Sequence, residues 1–271
     1  MNINDISHNL IIVRGAGDIA SGTIHRLYRA GFPVMALETA NPSAIRRRVA
    51  FSEAVFDGTM TIENVTCTLA TNCTTCLDLL QAGKLPLLID ETGQSIKTLK
   101  PHIVVDAILA KKNIGTNRQM ADFIIALGPG FTAGLDADCV IETMRGHNLG
   151  RIIYEGTALP NTGIPGIVAG VSAERVIHAP ASGNIKLIHD IGDIVKAGEV
   201  IAVIDSVPVA ATISGVLRGI IRDGFPVTKG LKIADIDPRT EQQKNCYTIS
   251  DKSRAIAGSV LEAIMAFHSG R

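Results

Sequence analysis

The run Leu10-Ile11-Ile12-Val13-Arg14-Gly15-Ala16-Gly17-Asp18-Ile19-Ala20-Ser21-Gly22 decides how the first half of the chain is read. An apolar, β-branched stretch breaks at a pair of glycines and continues into Thr23 to Ala30, whose pattern is helical. Strand, glycine turn and helix follow one another. A second apolar run, Val34 to Leu37, comes about twenty residues after the turn and ends at Glu38, where dinucleotide-binding sheets place a carboxylate on a ribose. The turn itself reads G-x-G-x-x-A. Gly15 permits the sharp bend, Gly17 lets a pyrophosphate approach the backbone, and the amino end of the helix offers unpaired N–H donors to an anion. Gly15, Ala16, Gly17, Asp18 and Glu38 are therefore the first candidates for binding a nucleotide, against the alternative of a sheet that kept this shape without a ligand.

Working outward, apolar runs at Val65 to Ala70, Leu87 to Ile89, Ile103 to Val105 and Phe123 to Leu127 alternate with stretches long enough for helices. Their spacing predicts a Rossmann-like, doubly wound parallel sheet. Gly128-Pro129-Gly130 closes the last run at the carboxyl edge, where open α/β sheets bind ligands, which adds Gly128 and Gly130 to the phosphate cradle. Arg145-Gly146-His147 lies on a loop between Val140 to Thr143 and Arg151 to Tyr154. A fixed cation and a titratable ring between glycines suit an anion, so Arg145 and His147 complete the candidate pocket; the alternative is a hairpin whose polar side chains face water. Asn161 to Gly166 reads as a linker rather than a ligand loop. Arg46-Arg47-Arg48 reads as a solvated helix face in preference to a 2′-phosphate site, because Glu38 points to an unphosphorylated ribose.

From Val176 the texture changes to short strands punctuated by glycine. Ala179 to Ile204 aligns without gaps on Ala211 to Ile236, with about ten identities over 26 positions. Ser182-Gly183 matches Ser214-Gly215, Gly192 matches Gly224, Gly198 matches Gly230, and Ile201-Ala202 matches Ile233-Ala234. Two copies of one strand-turn-strand pattern predict an inserted all-β barrel-sandwich hybrid module that resembles lipoyl and biotinyl domains. The tip between the copies, Asp205-Ser206-Val207-Pro208, holds no lysine, so swinging-arm carriage has no chemical basis and docking or structure is the role left to it. Asp251 to Phe267 is helical in period, with Ile256, Val260, Ile264 and Phe267 on one face, and is expected to pack back on the α/β domain. The expected division is a nucleotide-binding domain over 1–170, with 240–271 returning to it, and the β module over 171–239.

Lysine plus arginine (26) balance aspartate plus glutamate (26) in 271 residues, which argues against nucleic acid or an anionic membrane surface as partner. Nothing approaches the roughly 18 to 20 apolar residues of a membrane span, and Met1 to Asn9 is polar, so a cytoplasmic protein is expected. The five cysteines, Cys67, Cys73, Cys76, Cys139 and Cys246, are too few for a disulfide framework. Cys73-x-x-Cys76 has the spacing of half a zinc site or a redox pair, but no second pair completes it; no metal site is assigned, and Cys76 at the start of an apolar helical stretch reads as a core residue.

Several of these segments together resemble the YqeB-type accessory proteins of selenium-dependent molybdenum hydroxylase systems, which are distantly similar to XdhC-type maturation factors. The resemblance covers nearly the whole chain. It rests on Arg14 to Asp18, Val105 to Lys111, Gly128 to Phe131, Glu142-Thr143 with Arg145 to His147, Leu149 to Arg151, Asp235 to Arg239 and Ile249 to Lys252. It implies an accessory role in maturing a molybdenum hydroxylase, in handling its cofactor or inserting its terminal sulfur or selenium, with that enzyme or its maturation proteins as partners; the ligand expected at the glycine turn is a nucleotide or dinucleotide, NAD-like or of the molybdenum pterin cytidine type. Self-association is left open, as is whether any reaction is catalysed. An NAD-dependent oxidoreductase using Glu38 and His147 is the first rival, though no second group is spaced to assist His147. A scaffold that docks a hydroxylase subunit through the β module is the second.

Overall fold

Parallel strands buried on both faces are apolar except where a polar group finds a partner, and the centre of the main sheet follows this: every residue of β1 (Ile11–Arg14), β6 (Ile103–Asp106) and β7 (Phe123–Leu127) is buried, and the two charged ones, Arg14 and Asp106, pair with each other. The computed structural model describes residues 6, 9–163, 166 and 168–270. It divides into a first unit of Met1–Pro42, Ala50–Asn161 and Ile249–Arg271, and a second of Ser43–Val49 and Thr162–Thr248.

In the first unit, β1, β6 and β7 join β2 (Val34–Glu38), β3 (Thr59–Ile62), β4 (Val65–Ala70), β5 (Leu85–Ile89), β9 (Cys139–Ile141) and β10 (Ile152–Ile153) in one sheet of order β10-β9-β7-β6-β1-β2-β5-β4-β3. β8 (Thr132–Ala133) and β11 (Gly156–Thr157) form a separate two-stranded ribbon. One face is covered by α1 (Asp18–Arg29) and the long carboxyl-terminal helix, whose Ile24, Leu27, Ile256, Val260 and Ile264 share a core. A short helix, α2 (Ala54–Asp57), precedes β3. On the other face lie α3 (Cys73–Gln81) and α4 (Gln94–Leu99), which bury Cys76, Leu80 and Ile96. The last helix is α5 (Asp251–His268), capped by Ser250, whose side chain accepts from the Ser253 N–H. Asp18 in the first turn of α1, with Arg26 and Arg29 in its last, complements that helix's dipole.

The doubly wound Rossmann-like sheet carrying a barrel-sandwich module is not what the chain builds. The sheet is mixed: β3 and β10 run antiparallel to their neighbours at its two edges. The crossover helices that double winding demands are missing after β6 and after β7. Residues 107–122 contain no helix and turn through left-handed backbone at Leu109, Lys111 and Gly115, and the path from β7 to β9 holds only the two residues of β8. Apolar runs located strands, but their spacing said nothing about whether helices fill the gaps. The rest of the β structure lies in two separate four-stranded sheets.

These two sheets make up the second unit. One has the order β12-β19-β17-β14, built from Val176–His178, Lys232–Asp237, Gly215–Ile220 and Ile194–Val195; the other has β16-β15-β13-β18, from Val207–Ala210, Val200–Ile204, Gly183–Leu187 and Pro226–Val227. The sequence repeat reappears as an exchange of bonds. The Ala197 N–H donates to Ser214 Oγ, and the Lys229 N–H to Ser182 Oγ, both at 2.9 Å. Gly198 N–H donates to the Ala211 carbonyl and Gly230 N–H to that of Ala179 (2.8 and 2.9 Å). Strand β13 pairs with β18 of the other copy and β14 with β17, so each copy completes its partner's turns.

The arginine run belongs to this unit and is not a solvated helix face: Arg46 and Arg47 are buried, and Arg48 alone of the three is exposed. Arg47 Nε donates to the Ile220 carbonyl at 2.8 Å, Arg46 Nη2 to the carbonyls of Asn245 and Thr248, and Arg47 and Arg48 both pair with Asp190. Burial of Arg46 and Arg47 follows from those bonds.

Candidate functional site

Strands β1, β2, β5, β6, β7 and β9 are mutually parallel, so the residues that follow them gather along one edge. Gly15 to Asp18 follow β1, Glu38 ends β2, Asp90 follows β5, Asp106 ends β6, Gly128 to Gly130 follow β7, and Glu142 follows β9. Much of the polar chemistry there is spent on holding the edge itself. Glu38 accepts from the Ala16 N–H through Oε2 and from the Thr39 N–H through Oε1, each at 2.8 Å. Burial raises its pKa above the usual carboxylate range against the pull of those two amides. It thus steadies the glycine turn, and each oxygen keeps lone-pair capacity beyond its one amide bond.

Arg14 and Asp106 are both buried and 3.6 Å apart, bridged by Thr116, whose hydroxyl contacts Arg14 Nη1 and donates to Asp106 Oδ2 at 2.5 Å. Burial pushes the Asp106 carboxyl up, with Thr116 and Arg14 opposing. Asp90 receives the N–H groups of Gly93, Gln94 and Ser95 and the Ser95 hydroxyl; these bonds outweigh its burial and hold its pKa low. Glu142, also buried, accepts from the N–H groups of Met144 (2.7 Å) and Leu159 (2.8 Å).

The glycines separate into two kinds. A Cβ on Gly15 would lie 2.9 Å from the Ala107 carbonyl oxygen, on Gly128 2.6 Å from Thr143 Oγ1, and on Gly130 2.6 Å from the Cα of Lys112. Those three let neighbouring loops close on one another. Gly17 differs: its backbone is extended (φ −65°, ψ −178°) and a Cβ there would meet nothing within 4 Å. Open space at the amino end of α1 is where the sequence placed a pyrophosphate.

Arg145 does not stand free on its loop. It makes a two-pronged pair with Asp251 at the start of α5, at 2.8 and 2.7 Å. His147 is exposed. Helix α5 is in turn seated on α1: Ser253 Oγ donates to the carbonyls of Asp18 and Ile19, both at 3.1 Å, and a Cβ on Gly22 would lie 2.0 Å from that oxygen. Gly22 is therefore the residue that lets the two helices start side by side. The sequence reading missed Lys252, which this seating brings to the edge half-buried, with Asp18, Glu142, Arg145 and Asp251 around it. Its only signal in the sequence was its place at the end of Ile249 to Lys252.

Cys73 and Cys76 sit in the first turn of α3. Burial pushes the Cys76 thiol up to about 12 and raises that of Cys73, so both are held as thiols rather than nucleophilic thiolates near neutral pH. Among the described residues no group of three or more His, Cys, Asp or Glu side chains is placed to hold a metal ion. Among them, too, no helix is long and apolar enough to cross a membrane. Of Asn161 to Gly166, Ile164 and Pro165 lie outside the described residues, as do residues 1–5, 7 and 8 of the polar amino-terminal segment.

Fold and edge together define an α/β unit with an open glycine turn at Gly17, joined in one chain to a duplicated antiparallel β unit. In sequence the chain is 51% identical over 264 residues to a protein of Escherichia coli (strain K12) named "Uncharacterized protein YqeB", a match that takes in 97% of this chain. The chain spans about half (49%) of that relative's length. No family model matches. Among solved structures, the ectoine utilization protein EutE (DoeB) from Ruegeria pomeroyi aligns over 84% of each chain at 11% identity and a TM-score of 0.27. A succinylglutamate desuccinylase/aspartoacylase from Rhodobacter sphaeroides aligns over 84% of this chain and 85% of its own at 16% identity and 0.26. Likeness at that level carries nothing about activity.

Proposed function

We propose that the carboxyl edge of the first unit holds the phosphates of a nucleotide, or of a nucleotide-bearing molybdenum pterin cofactor, and that through it the chain serves as an accessory factor in maturing a selenium-dependent molybdenum hydroxylase. The observation that carries the ligand is Gly17, whose missing side chain faces open space at the head of a twelve-residue helix while Gly15, Gly128 and Gly130 are filled in by protein. Ala16 and Gly17 would present the backbone, and Glu38 would accept ribose hydroxyls. The hydroxylase assignment is supported by the motif resemblance.

Native mass spectrometry of the protein mixed separately with NAD, NADP, ADP, CTP and a cytidine-bearing pterin tests it. Selective binding of the pterin or a cytidine nucleotide, weakened about tenfold or more by Gly17→Val, is the expected result. Because the Val side chain enters open space at an allowed backbone conformation, the variant should melt as the parent does. Tight NAD binding accompanied by cofactor reduction would replace the accessory role with an oxidoreductase, and an absence of adducts would remove the ligand.

A further inference from the structure

Among the groups that the binding reading leaves unused, Lys252 is the one whose surroundings call for a partner. Its position is set from two sides. Ser253, the next residue, is bonded to the first-turn carbonyls of α1, and Asp251, the residue before, is gripped by Arg145. Lys252 is thereby held beside Asp18, one residue from the open Gly17. Of the three carboxylates around it, Glu142 accepts from two backbone N–H groups and Asp251 from both prongs of Arg145, and Asp18 stands in the first turn of α1. Burial, reinforced by Arg145, holds the Lys252 ammonium below the ordinary lysine pKa, although Asp18, Glu142 and Asp251 pull the other way. A half-buried cation with two of its three acidic neighbours already bonded gains from an incoming anion.

We propose that Lys252 meets an anionic oxygen, of the phosphate or pyrophosphate class, on the ligand held at the Gly17 turn. This rests on the binding reading above. Arg145, the cation expected there from the sequence, becomes a positioning residue that acts through Asp251. The lysine must be protonated to bind, so affinity should fall as pH rises through its lowered pKa, before an ordinary lysine would titrate.

CTP and inorganic pyrophosphate are the probes. With CTP, Lys252→Met is expected to weaken binding roughly 10- to 100-fold and to flatten the alkaline limb of the pH profile, while Lys252→Arg retains most of the affinity. In the parent protein, CTP should shield Lys252 from reductive methylation, read by peptide mass spectrometry. If the CTP adduct forms but Lys252→Met binds like the parent, or Lys252 is methylated equally fast with and without CTP, the lysine assignment is wrong and the Gly17 site stands. If no CTP adduct forms and pyrophosphate still shields Lys252, the nucleotide reading fails and the lysine assignment survives. If no CTP adduct forms and pyrophosphate gives no shielding either, both are overturned.

Discussion

The two copies inside the second unit share turns and differ in what covers them. Ile220 is fully buried, with Arg47 bonded to its carbonyl, whereas its counterpart Ile188 is 57% exposed. A Cβ on Gly192 would lie 2.3 Å from the Tyr247 hydroxyl, whereas one on Gly224 would meet nothing. Gly219 lies under the Ile45 carbonyl, with 2.9 Å to a Cβ, and the matching position in the first copy is Leu187. The copies are thus alike at their exchanged turns and differ in what Ser43–Val49 and Thr240–Tyr247 place on matched positions: Ile45 and Arg47 at Gly219 and Ile220, Tyr247 at Gly192.

Substitution at matched glycines can break that symmetry by design. A Cβ on Gly215 would lie 2.2 Å from the Asp237 carbonyl oxygen, and one on Gly183 2.2 Å from the Asp205 carboxylate. Backbone cannot step aside and a side chain can. Gly215→Ala should cost about 3 kcal/mol in urea unfolding and Gly183→Ala about half as much; equal losses would mean that Asp205 is as fixed as a strand. Gly192→Ala and Gly224→Ala share the strain of left-handed backbone (φ +100° and +75°), of about 1 kcal/mol. Gly192→Ala should exceed Gly224→Ala by roughly another 1 kcal/mol through Tyr247, and Tyr247→Phe should narrow the gap.

The smallest effect concerns Asp190. Burial would raise its pKa, but the Ile191 amide with Arg47 and Arg48 more than reverses this and leaves it low. A depressed carboxylate stabilises the fold above its unfolded pKa, and that contribution disappears as pH falls from near 4 through its own lower value. Asp190→Asn should therefore lose about 1 kcal/mol near neutral pH, screening included, and less in acid, where the parent has lost the pair too. A pH-independent difference in melting would show that the pair contributes nothing.

The sequence was most legible where a residue's reason is local. The strand at Phe123–Leu127 announces itself because a parallel strand buried on both faces has no polar face, and the repeat was visible because its shared serines and glycines make the exchanged turns. Partners far along the chain were illegible. Arg47 and Asp190 are 143 residues apart, and nothing near Arg46-Arg47-Arg48 betrays the carbonyls that receive them. Gly128 and Gly130 look like Gly17 in sequence, since a gap left for a ligand and a gap left for another loop are written with the same residue. Lys252 became a site residue only through the seating of α5 on α1.

The exchanged bonds of the second unit have a consequence for how such a unit could exist at all. Neither copy satisfies its own turns, so a lone copy would leave the Ala197 or Lys229 amide without its serine acceptor. Two separate chains, each one copy long, could make the same contacts with the two-fold self-complementarity of an isologous dimer. Residues 205–210, which connect the copies, turn that dimerisation into a unimolecular step: assembly no longer depends on concentration, and each half is free to diverge while the other keeps the interlock.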